Sequence, residues 1–172
     1  MARQQRTRHD SPIAVVGLGR FGAALAIELV DHGSEVLGVD ADGSIVQSLH
    51  GTLTHVVHGD STNPALVEQL GLGDYRRVVV AIGSDVTASI LTTSQLLRAG
   101  VQEVWAKAIS EQHAVILDQL GVHHVVSPEA DMGRRVAHMV RGSSDDFLEV
   151  DSRYGAMLVT VPASLAGVPL RE

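Results

Sequence analysis

The 172-residue chain is 45% hydrophobic but only 3% aromatic, so its core must be built from Val, Leu, Ile and Ala, as in a sheet covered on both faces. That length suits one ordinary domain with the start of another, and it can bury a core without covalent staples. A formal net charge of -7 argues against a nucleic-acid partner, and a sequence without cysteine offers neither disulfides nor thiolate metal sites.

Residues 1–11 read as a disordered basic leader, with Arg3, Arg6 and Arg8 and no apolar segment of the kind a secretory signal carries. No run approaches the ~18 apolar residues of a membrane span. From Ile13 the pattern becomes regular. Ile13–Val16 predicts a strand, Arg20–His32 a helix stopped by Gly33, and Glu35–Asp40 a second strand. A short helix follows at Ser44–His50, a strand at His55–His58, and a helix at Pro64–Leu70. Arg77–Ile82 is the most β-branched run and reads as a central strand. The helix Asp85–Arg98 after it is capped by Ser84 or Asp85. Val104–Ile109 is the next strand, Ser110 caps a helix ending at Gly121, Val122–Val126 is the sixth strand, and Pro128 opens a helix reaching about Arg141.

Six strand–helix units in strict alternation predict an α/β fold: a Rossmann-like, doubly wound, parallel six-stranded sheet over residues 12–142. The rhythm breaks at Ser143–Asp146, a linker, after which Phe147–Val150 and Met157–Val161 read as strands. Two such strands cannot bury a core alone, so residues 143–172 are expected to be a linker and the opening of a further domain.

The strongest chemical signal is Gly17-Leu18-Gly19-Arg20-Phe21-Gly22, placed between a strand and a helix, with Asp40 and then Ala41 at the end of the next strand. Gly17 permits the tight turn, Gly19 lets a phosphate approach the backbone, and Gly22 lets helix and strand pack closely. The helix N-terminus offers free N–H groups to phosphate, and Asp40 can accept from ribose hydroxyls. Arg20 suits the extra charge of a di- or triphosphate, or is a solvated surface arginine. At the end of the third strand, Gly59-Asp60-Ser61-Thr62 is placed to touch adenine or to cap the following helix. Ala81-Ile82-Gly83 ends the fourth strand and offers backbone to the ribose side. His123 and His124 point to opposite faces of one strand and so cannot share a metal. The sequence carries no G-x-S-x-G elbow and no phosphate-cradling G-x-x-x-x-G-K-[ST], so the chain reads as a binding protein and not as an enzyme. The other reading is a small NAD(H)-binding oxidoreductase or redox-sensing domain, since Asp40 equally suits the adenosine ribose of NAD.

Together with Val125-Val126-Ser127-Pro128-Glu129, these motifs resemble the regulatory subunits of Trk/Ktr potassium uptake systems and their RCK N-terminal domain. The resemblance covers about Ser11–Gly142, and the tail from Phe147 is similar to the beginning of that family's C-terminal domain, implying a truncated chain. It implies a cytoplasmic gating subunit peripheral to the inner face of the membrane. This subunit would bind ATP or ADP, or NAD/NADH in one branch, and act on a membrane potassium transporter or channel as a homodimer within an octameric ring. Carried over, Gly17, Gly19 and Gly22 hold phosphates, Asp40 the ribose, and Asp60 and Thr62 the adenosine side. Arg20 would sense the γ-phosphate. Lys107 matches a basic position near the phosphates or is a snorkelling strand-end lysine. Glu129 would help hold a cation at the dimer interface or simply favours its helix dipole.

Overall fold

The computed structural model describes residues 11–141, 146–151 and 154–158. Most of the expected leader and linker, and the tail from residue 159, lie outside the described residues. Six parallel strands, β1 (Ile13–Val16), β2 (Val36–Asp40), β3 (His55–His58), β4 (Arg77–Val80), β5 (Glu103–Lys107) and β6 (His124–Val126), form one sheet in the order β3-β2-β1-β4-β5-β6. The helices between them are α1 (Arg20–Asp31), α2 (Gly43–Ser48), α3 (Pro64–Gln69), α4 (Val86–Arg98) and α5 (Glu111–Gln119). The doubly wound sheet foreseen from the alternation is present, and its order reverses between β1 and β4.

The fully apolar strands have two faces to bury. Ala14 and Val16 join Val78, Val80, Val104 and Ala106 in a cluster closed by Val67 of α3, Leu96 of α4 and Leu117 of α5. Ile13 and Val15 face the other way, against Ala26 of α1 and Leu49 at the end of α2. The alternation along β1 thus separates two cores, as side chains on a strand must. Ordinary signals stop and start the helices. Asp42, Asn63, Asp85 and Ser110 each accept a backbone N–H from the first turn of the helix they precede. After α1 the Gly33 amide donates to the Val30 carbonyl and Ser34 to Leu29, closing the helix through a left-handed glycine.

The elements depart from expectation in several places: α2 ends at Ser48 and not His50, β5 ends at Lys107 and not Ile109, and three further features have a tertiary reason. The β4 ladder ends at Val80, before the expected Ile82, because the chain beyond it must clear the turn after β1: a Cβ on Gly17 would lie 2.8 Å from the Ile82 nitrogen. β6 starts at His124 and not Val122. The Val122 amide is used to close α5, and the His123 imidazole Nδ1, instead of a backbone carbonyl, accepts the Val104 N–H at 3.0 Å. A 3-10 turn at Leu72–Asp74, unforeseen, carries the fully buried Leu72 under the sheet.

A first compact unit ends at Ser127 and a second starts at Pro128. Taken by itself, the second contains α6 (Pro128–Val140) and an antiparallel pair, β7 (Asp146–Asp151) and β8 (Tyr154–Leu158), with a register irregularity between Glu149 and Asp151. β8 begins three residues before the expected Met157, and Val159–Val161 lie outside the described residues. Among the described residues no helix is long and apolar enough to cross a membrane.

One buried group sets a pH dependence. His113, on the inner face of α5, is 2% exposed, and burial pushes its pKa below the usual imidazole value. Unfolding frees it to take a proton at about pH 6.5, so its contribution is intact above that pH and is lost as pH falls toward its lowered folded value. The melting temperature of His113→Gln should therefore fall less between pH 7 and pH 5 than that of the wild type, as measured by circular dichroism.

Candidate nucleotide site

The carboxyl ends of the strands converge where the sheet order reverses, the usual place for a ligand in an open α/β sheet. The turn leaving β1 is set by Gly17, at φ +91°, whose N–H still donates to the Val39 carbonyl at 2.8 Å. The three motif glycines are not equivalent. A Cβ on Gly17 would meet the Ile82 nitrogen at 2.8 Å, and one on Gly22 would lie 1.8 Å from the Gly17 carbonyl oxygen. Both are therefore required by the protein's own packing. A Cβ on Gly19 would meet no protein atom within 4 Å. Gly19 is exposed and is the N-cap of α1, where no side chain satisfies the first amides. Leu18 contributes backbone only: its side chain is 2% exposed in the core, while its N–H donates to Asp40 Oδ2 at 2.5 Å.

Asp40 thereby ties the end of β2 to the glycine turn, and its Oδ1 accepts the Asp42 N–H at 2.8 Å. A carboxylate has about four lone-pair sites, so two in-house bonds leave capacity for ribose hydroxyls. The neighbouring strand end is linked to it: the Gly59 amide donates to the Asp40 carbonyl at 2.8 Å, and His58 Nε2 lies 3.0 Å from the Ala41 carbonyl. Asp60 folds the next loop instead of capping a helix. Its Oδ1 accepts both the Thr62 N–H at 2.9 Å and the Thr62 hydroxyl at 2.7 Å, which hold its carboxyl below the ordinary range, while Asn63 caps α3. Ser61 turns inward: its hydroxyl meets Thr92 of α4 at 2.9 Å, and Gln95 donates to the Thr62 carbonyl at 2.5 Å. The 59–62 loop is thus pinned to α4 by residues some 30 positions away, a support no local pattern could have disclosed.

At the opposite side of the turn, Arg20 is the first residue of α1 and is exposed. Ala81 is buried, and Ile82 and Gly83 pass beside the Gly17 turn. Lys107 ends β5, is 8% exposed, and its Nζ lies 5.6 Å from the centre of the Phe21 ring and 3.1 Å from where a Cβ on Gly83 would stand. Phe21, Gly83 and Lys107, drawn from three separate segments, are therefore neighbours beside the glycine turn, and Arg20 precedes Phe21 on α1. Glu129 lies with Asp131 in the first turn of α6, in the second unit. The two histidines diverge as expected, His123 toward Val104 and His124 stacked on Trp105 with ring centres 3.9 Å apart.

A parallel sheet wound on both faces, with a glycine turn and an acid at its reversal, defines the Rossmann-like class of nucleotide-binding domains. The family model described as the TrkA-N domain matches residues 13–128, and this chain belongs to that family. The chain is 38% identical over 160 residues to the Ktr system potassium uptake protein C of Bacillus subtilis (strain 168), covering 92% of this chain and 72% of that protein. It is 44% identical over 128 residues to the Ktr system potassium uptake protein A of Vibrio alginolyticus, covering 74% of this chain and 58% of that protein. In fold it resembles GsuK bound to ADP (TM-score 0.66, 24% identity, 80% of this chain and 36% of that one). It also resembles the GsuK channel bound to NAD (TM-score 0.60, 15% identity, 70% of this chain and 22% of that one).

Substitution should separate the glycines. Gly22→Ala, which forces a methyl into a carbonyl oxygen, should lower stability by about 3 kcal/mol or more. Gly19→Ala should cost about 1 kcal/mol or less, through poorer capping. Urea denaturation of both variants checks the contrast.

Proposed function

We propose that this chain is the nucleotide-binding part of a regulatory subunit that gates a membrane potassium transporter or channel from its cytoplasmic side, and that its ligand is ATP or ADP. The observation that carries the nucleotide reading is the inequality of the glycines. Nothing in the protein forbids a side chain at Gly19, yet this position sits at the unsatisfied N-terminus of α1, where the helix end favours an anion and a bare backbone admits a phosphate. Asp40 would take the ribose hydroxyls, Asp60 and Thr62 the adenosine side, and the exposed Arg20 the terminal phosphate. Two cationic side chains at the phosphate end, Arg20 and Lys107, favour a nucleoside polyphosphate over a dinucleotide, whose diphosphate is already served by the backbone. The names of the relatives, both potassium uptake proteins, support the transport role.

Gating would follow from differential affinity. If the triphosphate binds one shape of the subunit more tightly than the diphosphate does, exchange shifts the population, whereas equal affinity would shift nothing. A second copy of the chain, with a cation near Glu129, would complete the assembly.

Thermal-shift measurements with ATP, ADP, NAD and NADH, with and without a divalent cation, address the ligand directly. At 100-fold excess over Kd a true ligand adds about 2.7 kcal/mol, or several degrees in Tm. ATP and ADP should shift the wild type more than NAD or NADH does; the reverse order rejects the proposal. Gly19→Ala should lose most of that shift. Arg20→Ala should narrow the gap between ATP and ADP about tenfold by calorimetry, and an unchanged gap would reject Arg20 as the sensor.

A further inference from the structure

Lys107 is the only lysine in the sequence; the other twelve of its thirteen basic side chains are arginine. The two residue types are not interchangeable, since an ammonium is a compact point charge and a guanidinium a broad planar fork. The solitary lysine is also the one Lys or Arg among the buried polar groups of the described residues. Its surroundings explain the choice of head group. Gly83 leaves so little room that a methyl there would lie 3.1 Å from Nζ and 3.5 Å from Cε. On another side stands the Phe21 ring, 5.6 Å from Nζ to the ring centre, within reach of a cation–π attraction. That ring is itself packed against the cluster containing Val15, Leu18 and Ala26, so its position is held by the core beneath α1.

We propose that Phe21 and Gly83 form a seat for the Lys107 ammonium, and that Phe21 is a positioning residue holding this charge at the phosphate end of the crevice, where it distinguishes a nucleoside polyphosphate from a monophosphate. This rests on the nucleotide reading above. Phe21 precedes Gly22 in the first turn of α1, and Gly83 follows the Ala81-Ile82 segment that abuts the Gly17 turn, so the seat is assembled from the same backbone that offers its amides to phosphate. A broad guanidinium would fit this narrow space less well than the compact ammonium, and the ring adds an attraction of fixed direction to the lysine's other contacts. The motif's aromatic residue therefore serves the ligand at one remove, through Lys107, while its inner edge serves the core.

The solitary lysine makes the test clean, because protein grown on 13C-lysine gives a single ε-CH2 resonance. In the full chain without nucleotide, that signal should be shifted upfield by the Phe21 ring current. It should move back toward the free-lysine position in Phe21→Leu and stay near the wild-type position in Phe21→Tyr. Gly83→Ala, which leaves the ring intact but crowds the ammonium, should also move it. Calorimetry should then show Phe21→Leu and Gly83→Ala losing about tenfold in ATP affinity but little in AMP affinity, with Phe21→Tyr close to wild type. An ε-CH2 signal indifferent to Phe21→Leu, or equal losses for ATP and AMP, would overturn the proposal, the latter marking a merely structural phenylalanine. If the ring-current shift is present but wild-type protein binds none of these nucleotides, the nucleotide reading and the role of Lys107 in it both fail, while the seat stands.

Discussion

The backbone of residues 17–22 is folded so tightly that a single methyl at Gly22 would stand 1.8 Å from the Gly17 carbonyl oxygen. Everything at the crevice depends on that closeness. It brings α1 directly off the end of β1, so that the first amides of the helix open where the sheet order reverses. It also presses the turn against Ile82, which ends the β4 ladder and sends residues 81–83 past the same spot. The 2.5 Å bond from the Leu18 amide to Asp40 adds β2 to the assembly. Three strand ends are thus locked together by one compact turn, and the remaining open position, Gly19, is the one a phosphate would need.

The charges are distributed to match. The chain carries a net -7, yet the helix start beside the glycine turn has the exposed Arg20, and Lys107 is sunk beside Phe21. The ends of β2 and β3 bring the carboxylates of Asp40 and Asp60, both accepting backbone amides. A ligand with an anionic end and a hydroxyl-rich end fits this polarity, because each end meets groups of complementary hydrogen-bonding character. Burying Lys107 makes its charge directional. An exposed ammonium on a four-carbon stem samples many positions, whereas one confined between a ring and a glycine acts from one place.

The 59–62 loop has a different kind of support. Asp60 organises it internally through Thr62, but its attachment to the body comes from Ser61 with Thr92 and from Gln95 with the Thr62 carbonyl. α4 therefore does two jobs: Leu96 closes the apolar core, while Thr92 and Gln95 hold a loop of the site. A buried polar side chain is unfavourable unless partnered, so Thr92 on α4 is intelligible once Ser61 of that loop is seen against it. The buried hydroxyls of Ser89 and Thr93 on the same helix, in contrast, make no hydrogen bond among the described residues.

The order and type of the elements were legible in the residues themselves. Apolar runs of strand length, helical periodicity and glycine stops are local signals, and they are sufficient for a doubly wound parallel sheet because few topologies accommodate strict strand–helix alternation. The glycine motif and Asp40 were legible for the same reason, since their roles follow from spacing along one strand–turn–helix unit. What the sequence could not decide was anything set by packing between distant segments. It left Asp60 and Thr62 open between ligand contact and capping, and the fold makes them a self-bonded loop. It allowed Ser61 in the site, and the fold turns its hydroxyl to Thr92. Spacing gave the three motif glycines different jobs, but only the approach of Ile82 and of the Gly17 carbonyl shows which two the protein's own packing requires and which one it leaves open. The lone lysine was visible throughout as a composition fact. Its meaning emerged only when β5 placed it between Phe21 and Gly83, residues 86 and 24 positions earlier in the chain, because a chain encodes neighbours along itself and leaves neighbours in space to the folded core.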